Sequence, residues 1–515
     1  MASVSLGMTT IASGTADQDR LLPHNPDRGT VPVQQLDSHT KSATVSSGRT
    51  PPVIRLLVLA TFVVILNETI MINAIPNLMG ALNITEQTAQ WLSTAFMLTM
   101  AAVIPITGWF LQRVSTRSAY ATAMGLFLLG TALAIVAPSF DVLLGARIIQ
   151  ASGTAVMMPL LMTTLMHVVP EQDRGKVMGN VTLAISVAPA MGPTISGVIL
   201  NFGSWRLLFA VVLPIAALIT WGGMKQLKNV GEPEVSTIDW FSVVLAALGF
   251  GGLVYGLSRF QGGNIGVATG IVVAGLVAIA VFVFRQVSLQ NLGSPLMDLR
   301  TLKHRTYTIA LILMSVAFMA MLGSMILLPL YLQNIRGLSA LQAGLLVMPG
   351  GLAMGLLGPT VGRLFDRFGG RVLVIPGAIA ITLALAGFTQ VSMTMPYWQL
   401  LVLHALLMVG LAATFTPVFT LGLGAVPPSL YAHGSSILGT LQQVAAAFGT
   451  ALVVTVMSAR ADSLKAEGVA AAVANLDGMR LAFIIGVVLS VAVIITALLL
   501  PARADSSAEN VGHGH

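Results

Sequence analysis

Two charged residues lie inside apolar stretches of this sequence, where their side chains could carry out proton chemistry. Glu68 is the sole acidic residue deep within a long apolar stretch, and Arg147 is a cation within another. A carboxylate at the centre of a bilayer costs about 2.5–3.5 kcal/mol on insertion scales, so such groups usually face a cavity or a partner. A desolvated carboxyl can load and release a proton near neutral pH. The pair therefore predicts proton coupling, in which protonation of Glu68 weakens its attraction to Arg147.

Both residues also have a structural interpretation. Glu68 could be a carboxylate that bonds to a neighbouring helix, and Arg147 could be a static strut in helix packing. An arginine within an apolar helix is an obligate cation that needs compensation, and Glu68 or backbone carbonyls are the available partners. In either case both side chains are expected to face protein or a cavity rather than lipid.

Prolines and glycines are concentrated in a further apolar stretch. Pro189 and Pro193 each remove a helical hydrogen bond, while Gly192 and Gly197 thin the helix and let neighbours approach. This pattern predicts a bent, closely packed gating helix. Because Pro and Gly are common in membrane helices, the alternative is an ordinary span.

Four more residues are candidates for the lining of an internal cavity. His404 could titrate, although a hydrogen-bonded packing histidine is an equal alternative. Gln442 and Gln443 could donate hydrogen bonds into a cavity or between helices. Met158 belongs to a run of methionines whose flexible thioethers suit a pocket for varied apolar ligands, with lipid-facing packing as the alternative.

The sequence lacks the motifs of common enzymes and ATPases. It has no GxxxxGK[ST] phosphate loop, no HExxH zinc motif and no serine-nucleophile elbow. With zero cysteines, disulfides, thiolate nucleophiles and cysteine-based metal sites are excluded. We expect neither an enzyme nor an ATP-driven pump, and no metal or cofactor, so that a proton gradient is the expected source of energy.

The composition indicates which elements must position these residues. Of 515 residues, 55% are hydrophobic and only 9% are charged, whereas soluble domains carry about 25% charged residues. A water-facing surface cannot be built from this composition, which predicts an all-α polytopic membrane protein. The net charge of +7 does not indicate nucleic acid, because the basic residues lie between apolar runs, where they normally set membrane topology.

Fourteen apolar stretches are long enough to cross a bilayer at about 20 residues each. They predict a disordered cytoplasmic N-tail (1–52), an N-terminal six-helix bundle (53–224), an inserted helix pair (225–304), a C-terminal six-helix bundle (305–501) and a cytoplasmic C-tail (502–515). The predicted spans are Val53–Pro76, Ala89–Leu111, Ala119–Ala137, Val142–Val168, Val177–Leu200, Trp205–Met224, Trp240–Leu257, Ile265–Phe284, Tyr307–Leu332, Leu341–Phe365, Val372–Val391, Trp398–Val426, Ser435–Met457 and Leu481–Leu500.

The placement of charge supports this topology. With the N-terminus inside, thirteen Lys and Arg residues fall in the short inner loops and six in the outer loops. This bias obeys the positive-inside rule and predicts a multi-pass protein of the inner (cytoplasmic) membrane with both termini cytoplasmic. The lipid bilayer is thus an expected partner, and we expect a monomer. A sizeable external loop with alanine-rich helical character is predicted at Asp462–Gly478.

A short motif occurs twice, at the inner ends of spans 2 and 10. Its frame is PxxG-x4-R-x3-R, with Gly108, Arg113 and Arg117 in the first copy and Gly362, Arg367 and Arg371 in the second. Two six-helix halves related by an axis along the membrane normal would produce this repeat and would hold a substrate between them near the midplane. The glycines permit close helix approach, and the arginines could pair with carbonyls or carboxylates to latch the cytoplasmic side. The alternative is that the arginines are topology charges only.

Together, these motifs resemble those of a known family. The stretch Gly362-Arg-Leu-Phe-Asp366-Arg-Phe-Gly-Gly-Arg is similar to the loop signature between helices 2 and 3 of the major facilitator superfamily, whereas the first copy has Gln112 in place of the acidic residue. The RxxQ frame of Arg147 and Gln150 resembles the family's RxxQGxG motif, and the stretch 188–197 resembles the gxxxGPxxGG motif of antiporters. In this order the motifs are similar to the fourteen-span drug:proton antiporter branch.

The resemblance implies a major facilitator fold of two six-helix bundles plus two inserted helices, with fourteen transmembrane helices and alternating access. It places Gln150 with Arg147 in the proton-coupling site and gives Asp366 a charge-relay role. Related exporters often carry the acid at the position of Asn67, about 100° of helix away from Glu68, so Glu68 could instead serve substrate cations. The implied function is proton-coupled export of amphipathic drugs or lipophilic cations. The alternative is export of an endogenous metabolite, lipid or siderophore.

Overall fold

The computed structural model describes residues 51–71, 74–229, 237–260, 264–290 and 295–501. The predicted N-tail falls outside these ranges except for Pro51 and Pro52, and the predicted C-tail falls outside them entirely. The helices are α1 Pro52–Ile70, α2 Ile75–Leu82, α3 Glu86–Arg113, α4 Thr116–Val136, α5 Phe140–Val168, α6 Arg174–Asn201, α7 Arg206–Gln226, α8 Trp240–Ala246, α9 Gly252–Arg259, α10 Ile265–Gln290, α11 Arg305–Leu330, α12 Ala340–Phe368, α13 Arg371–Phe388, α14 Tyr397–Gly424, α15 Tyr431–Ala466 and α16 Ala471–Leu499.

The predicted number of membrane spans agrees with these helices. Within the described ranges, thirteen helical segments are long and apolar enough to cross a membrane, and α6 makes a fourteenth if its two halves, bent by 42°, form one span. A single π-helical turn at Ala247–Gly251 joins α8 to α9, and the two cross as one span. All fourteen predicted spans therefore correspond to observed helices.

Helix starts follow from local sequence signals. The hydroxyls of Thr85 and Ser115 accept hydrogen bonds from the first turns of α3 and α4. Ser339 and Gln342 form a reciprocal capping box at the start of α12. Each cap of this kind satisfies a backbone donor that the helix leaves unbonded and stabilises the helix by about 1 kcal/mol.

Two predicted boundaries differ from the structure. The first span was expected to continue to Pro76, but α1 ends at Ile70 and α2 begins at Ile75. A proline disfavours helical backbone in the residue before it and fits the first turn of a new helix. The external loop expected at Asp462–Gly478 has the predicted helical character over most of its length, but the flanking helices reach into it, since α15 runs on to Ala466 and α16 begins at Ala471. The alanines there are strong helix formers.

The helices form two bundles with the inserted pair beside them. In the N-terminal bundle α1 packs on α5, α6 and α7, and α4 packs on α5 and α7; in the C-terminal bundle α11 packs on α14, α15 and α16, and α13 packs on α14 and α16. The bundles meet mainly where α6 contacts α12 and where α3 contacts α15. The inserted pair lies against the second of these contacts, where Leu253 and Leu257 of α9 pack on Ala451 of α15. We call the end of the molecule that carries Arg113, Arg174 and Arg367 the basic end.

Candidate functional site

Glu68 lies where α1 contacts the glycine-rich part of α6. Its side chain is half-buried, and its neighbour Thr69 occupies the space that a side chain at Gly192 would need. One residue further, the Ile70 carbonyl accepts a hydrogen bond of 2.8 Å from the Ser196 hydroxyl. The residues of the antiporter-like motif thus pack against the two residues that follow Glu68 on α1.

Arg147 is held in a polar cage inside the N-terminal bundle. Its side chain is 1% exposed, and its guanidinium carbon lies 4.2 Å from the centre of the Phe96 ring. Nη1 donates a hydrogen bond of 2.5 Å to the Gln150 amide oxygen. Gln150 in turn donates to the Thr131 hydroxyl at 2.8 Å. The cage therefore joins α3, α4 and α5 around one positive charge.

These contacts do not fully compensate the charge of Arg147. Burying an ion costs several kcal/mol even after relaxation, against about 2 kcal/mol for a desolvated cation–π contact and about 1.5–3 kcal/mol for a charged hydrogen bond. Nε of the guanidinium is buried without a hydrogen-bond partner among the residues that the structure describes. Glu68 attracts Arg147 electrostatically, although among the described side chains the two form no ion pair within 4.0 Å. The balance therefore depends on whether Glu68 carries its charge.

Asn67 does not share the environment of Glu68. It is fully buried, and neither its amide oxygen nor its amide nitrogen has a hydrogen-bond partner in the described structure. Unpaired buried groups of this kind each cost about 1–3 kcal/mol. Asn67 and Glu68 are adjacent on α1, yet the amide of Asn67 is buried whereas the carboxyl of Glu68 is partly accessible.

The gating segment predicted in α6 is bent. The parts of the segment on either side of residues 190–193 differ in direction by 42°, in the stretch between Pro189 and Gly197. The Pro193 side chain lies outside the described part of the structure. The bend falls beside Gly192, where α6 meets Thr69 of α1, so a change of this bend would act directly on the helix that carries Glu68.

At the basic end, α6 and α12 form the tighter contact between the bundles. The Asp366 carboxylate accepts hydrogen bonds of 2.8 Å from the backbone N–H groups of Gly175 and Lys176, one to each oxygen. These donors belong to the first turn of α6, where backbone N–H groups are unbonded and the helix dipole favours an anion. A Cβ at Gly179 would lie 2.7 Å from the Gly358 carbonyl carbon, so the two backbones are in contact.

The second contact, between α3 and α15, uses the other copy of the repeated motif. Gln112 donates a hydrogen bond of 2.8 Å to the Ser429 carbonyl just before α15, and the Ser436 hydroxyl donates one of 2.6 Å to the Ile104 carbonyl. A Cβ at Gly108 would lie 3.3 Å from the Cα of His433. We call these two regions the α6–α12 junction and the α3–α15 junction.

The segment Pro295–Lys303 connects the inserted pair to the α3–α15 junction. The Gln286 amide oxygen accepts hydrogen bonds from the backbone N–H groups of Leu296 and Met297, at 2.7 and 3.1 Å. Burial alone would raise the pKa of Asp298, but hydrogen bonds from Arg300 and the nearby His433 hold it below its usual value. The segment is thus anchored by a side chain of α10, and within it the buried Asp298 pairs with the exposed Arg300.

The arginines of the repeated motif lie at the surface of the basic end. All four of Arg113, Arg117, Arg367 and Arg371 are exposed. The described ring contacts place Arg113 over Trp109 and Arg367 over Phe368. Asp366 and the glycines make the cross-bundle contacts given above, because only short groups fit where the backbones approach.

The remaining predicted cavity residues are dispersed. His404 is 3% exposed and lies against Gly350 of α12. Gln443 is half-buried with its amide nitrogen 3.7 Å from the sulfur of Met100 across the α3–α15 junction, and the Gln442 amide nitrogen is buried without a partner in the described structure. Met158 is half-buried at the margin of the core.

The structure places at the site four residues that no sequence motif singled out. Phe96 and Thr131 complete the cage of Arg147, and Gly179 and Gly358 bring α6 and α12 together. The glycines have a readable signal, since Gly175 and Gly179 follow the small-xxx-small spacing of closely packed membrane helices. Phe96 has none, because an aromatic residue in an apolar span has no pattern that marks a cation as its partner.

Comparison with known proteins adds the family. The model of the family described as Major Facilitator Superfamily matches residues 57–450. The chain is 39% identical over 446 residues to the lincomycin resistance protein LmrB of Listeria monocytogenes, which covers 85% of this chain and 94% of that protein. It is 30% identical over 406 residues to the multidrug export protein EmrB of Haemophilus influenzae, with 77% and 78% covered.

Solved structures agree with the fold. The proton:xylose symporter XylE aligns with a TM-score of 0.59 at 14% identity, covering 88% of this chain and 96% of that chain. FucP in its outward conformation aligns with a TM-score of 0.58 at 14% identity, covering 87% and 98%. At these identities the similarity concerns the fold alone.

Proposed function

The chain belongs to the Major Facilitator Superfamily, and on that premise we propose that it is a proton-coupled antiporter that exports amphipathic drugs or lipophilic cations by alternating access. Its family consists of transporters, so the protein is a multi-pass membrane transporter rather than an enzyme. Relatives named for lincomycin resistance and multidrug export support drug efflux, with lincomycin as the first substrate to test. The basic end and both termini face the cytoplasm, as the positive-inside rule favours.

The placement of Glu68 carries the proposal of proton coupling. It is a partly accessible carboxyl, and it is the anion that acts on the buried cation Arg147. A single carboxyl can hold either a proton or a cationic substrate, so the two compete. When Glu68 is protonated, its attraction for Arg147 is lost, and the uncompensated cation favours a different arrangement of α1 and α5.

The α6–α12 junction supports the conformational half of the mechanism. Asp366 closes the basic end by binding the first turn of α6, and α6 also contacts α1 beside Glu68. A single helix thus connects the proton site with the closed end. Opening toward the cytoplasm requires Asp366 to leave α6. The substrate region then faces the cytoplasmic side of the membrane.

Exchange in proteoliposomes tests the proposal. Purified protein is reconstituted, a pH gradient is imposed, and the movement of lincomycin and of ethidium, a lipophilic cation, is followed together with internal pH. Glu68→Gln should abolish substrate-driven proton movement, because an amide cannot bind a proton in this range. Glu467→Gln is the matched control, since Glu467 is exposed beyond the end of α15.

The outcomes separate the alternatives. Proton movement that persists unchanged in Glu68→Gln would overturn coupling at this carboxyl. Wild-type vesicles that move protons with neither drug, but with an extract of endogenous metabolites or lipids, would favour the alternative of metabolite export on the same fold.

A further inference from the structure

Two glycines, one in each half of the chain, make equivalent contacts in three dimensions. A Cβ at Gly153 of α5 would lie 2.8 Å from the Phe127 nitrogen and against the Ala123 carbonyl of α4. A Cβ at Gly410 of α14 would lie 2.7 Å from the Gly377 carbonyl oxygen of α13, and 3.0 Å from the nitrogen of Ile381. The two glycines therefore occupy equivalent positions. Gly153 meets Ala123 and Phe127, Gly410 meets Gly377 and Ile381, and the repeat frame relates the first pair to the second.

This alignment makes His404 the counterpart of Arg147. Each lies six residues before its glycine. The frame of the repeated motif, which relates Gly108 to Gly362, likewise relates Phe96 to Gly350. Arg147 lies over the Phe96 ring, and a Cβ at Gly350 would lie 2.7 Å from Nε2 of His404. The contact between α5 and α3 in the N-terminal bundle thus corresponds to the contact between α14 and α12 in the C-terminal bundle.

The surroundings of the two basic residues differ in polarity. The positions that correspond to Gln150 and Thr131 in the C-terminal bundle are Leu407 and Leu385, both fully buried. The backbone carbonyl of Val347 is the polar neighbour of the His404 ring. Nε2 is buried without a hydrogen-bond partner in the described structure. The cage that holds a permanent cation in one bundle is therefore an apolar pocket in the other.

We propose that His404 is a second proton-binding residue of the transport cycle, neutral in this conformation and protonated when α12 moves away from it at Gly350. The inference rests on the proposed function, because it adds a site to the same proton-coupled exchange. A proton from water adds to the Nε2 lone pair and converts the imidazole into an imidazolium. The proton enters from the outer side when α12 leaves the ring and passes to the cytoplasm before α12 closes again, because the Leu-lined pocket cannot stabilise a cation.

Charged groups near α14 lie at the ends of its neighbours. The titratable and charged residues of the elements packed on α14 are Arg174 and Lys176 of α6, Arg305 and Tyr307 of α11, Tyr331 and Arg336 beyond α11, Arg363, Asp366 and Arg367 of α12, Arg371 of α13, and Tyr431, His433, Arg460, Asp462 and Lys465 of α15. Tyr397 begins α14 itself. Among the described contacts none of them is a partner of the His404 ring. Protonation there is thus governed by the position of α12.

The test compares proton counting with pH dependence in proteoliposomes. His404→Gln should lower the number of protons exchanged per ethidium and remove the part of the rate profile that titrates near pH 6.5, the usual range of histidine. His404→Arg, which installs the permanent cation of the other bundle, should slow exchange by about tenfold or more, because this pocket has no equivalent of Gln150 or Phe96. His304→Gln, at the start of α11, is the matched control.

Four outcomes decide the inference. A lower proton count and a flattened profile in His404→Gln support it, and a count and profile equal to wild type overturn it, even if the variant melts at a lower temperature. If His404→Gln fails to fold, the titration of the His404 ring is followed by NMR in the wild-type protein instead. The His404 signal is assigned as the histidine signal that shifts in Gly350→Ala. A ring that titrates supports the proposal, and one that stays neutral down to pH 5 with and without ethidium overturns it.

Failure of this inference is distinct from failure of the proposed function. Loss of exchange in Glu68→Gln with wild-type behaviour in His404→Gln removes only the second site. Unchanged exchange in Glu68→Gln removes coupling at Glu68, and wild-type vesicles that exchange no protons for either drug remove the proposed function itself.

Discussion

At the α6–α12 junction backbone atoms of the two bundles touch at Gly179 and Gly358, whereas at the equivalent point of the α3–α15 junction the side chain of Ile104 lies between them. The repeat frame relates Gly358 to Ile104 and Asp366 to Gln112. Gly358 contacts Gly179 through backbone atoms, while Ile104 meets α15 through its side chain and through the Ser436 hydroxyl. Equivalent positions in the two halves thus make different kinds of contact.

The difference concerns rigidity and charge. Backbone contacts leave no rotamers to adjust, and the Asp366 carboxylate gives two charge-assisted hydrogen bonds, which are stronger than neutral ones. The neutral amide of Gln112 makes one hydrogen bond to a carbonyl. We infer that the α6–α12 junction decides whether the basic end is closed, and that the α3–α15 junction adapts to it. Substitutions matched between the two junctions test this difference.

The largest effect is expected from adding a methyl group at Gly179. Its Cβ would be 2.7 Å from backbone atoms of Gly358 and Pro359, which cannot move independently, and overpacking of this kind costs about 1–3 kcal/mol. Gly179→Ala should slow drug exchange by about tenfold. At Gly439 the added Cβ would meet only Cγ2 of Ile104, at 3.2 Å, so Gly439→Ala should change the rate by less than about twofold. Equal losses in the two variants would show that the junctions do not differ.

The next effect concerns the charge at the junction. Asp366→Asn removes the negative charge and places the amide NH2 group against a backbone N–H group that needs an acceptor. The closed arrangement of the basic end should therefore lose about 1.5–3 kcal/mol of stability. Gln112→Ala removes one neutral hydrogen bond, about 0.5–1.5 kcal/mol. Because the protein has no cysteines, spin labels at Ser118→Cys and Val372→Cys report the separation of the bundles at the basic end. The distance distribution should broaden more in Asp366→Asn, and the reverse order would contradict the comparison.

A smaller effect is expected where the inserted pair reaches the α3–α15 junction. Gln286→Leu leaves the N–H groups of Leu296 and Met297 without the acceptor they have now. Hydrogen exchange in the segment Pro295–Lys303 should become faster, and the drug exchange rate should change by about twofold, the effect of losing a few tenths of a kcal/mol at the junction. Ser288→Ala, on the same helix with an exposed hydroxyl, is the control. Unchanged hydrogen exchange in the segment would show that Gln286 does not anchor it.

The smallest effect concerns Asp239, at the start of the inserted pair. Hydrogen bonds from Arg285 lower the pKa of Asp239 to about 2, below the usual value near 3.9. The pair therefore stabilises the fold fully above about pH 4, and the contribution is lost as the pH falls toward 2. Asp239→Asn should cost about 1 kcal/mol at pH 7, and its difference in melting temperature from wild type should shrink below pH 4. A difference that grows on acidification would contradict the assigned pair.

Much of the fold was readable from the chain. Long apolar stretches separated by basic loops predicted fourteen spans, and the repeated PxxG frame predicted two related halves. Glu68 and Arg147 were identifiable because a charge inside an apolar span has few physical explanations. The end of α1 at Ile70 and the extension of α15 to Ala466 were missed, since hydropathy measures apolar length and not where a helix ends.

The contacts that the functional residues make could not be predicted from the sequence. Asp366 binds backbone groups 191 and 190 residues away along the chain, and any helix start at the basic end offers the same unbonded N–H groups. The equivalence of Arg147 and His404 was also hidden, because two residues of different chemistry have no shared pattern and the spacing between the halves changes by three residues after the repeated motif.

The sequence by itself determined that this chain spans a membrane many times, carries an internal repeat and contains one isolated acid and one isolated cation. These properties follow from the free energy of transferring each residue into a bilayer, which is local to the residue. The tertiary structure alone decided that Arg147 lies over Phe96, that Asp366 caps α6 and that His404 fits against Gly350. Contacts of this kind depend on which helices pack together and in which register, and packing is a property of pairs of surfaces rather than of any one stretch of sequence.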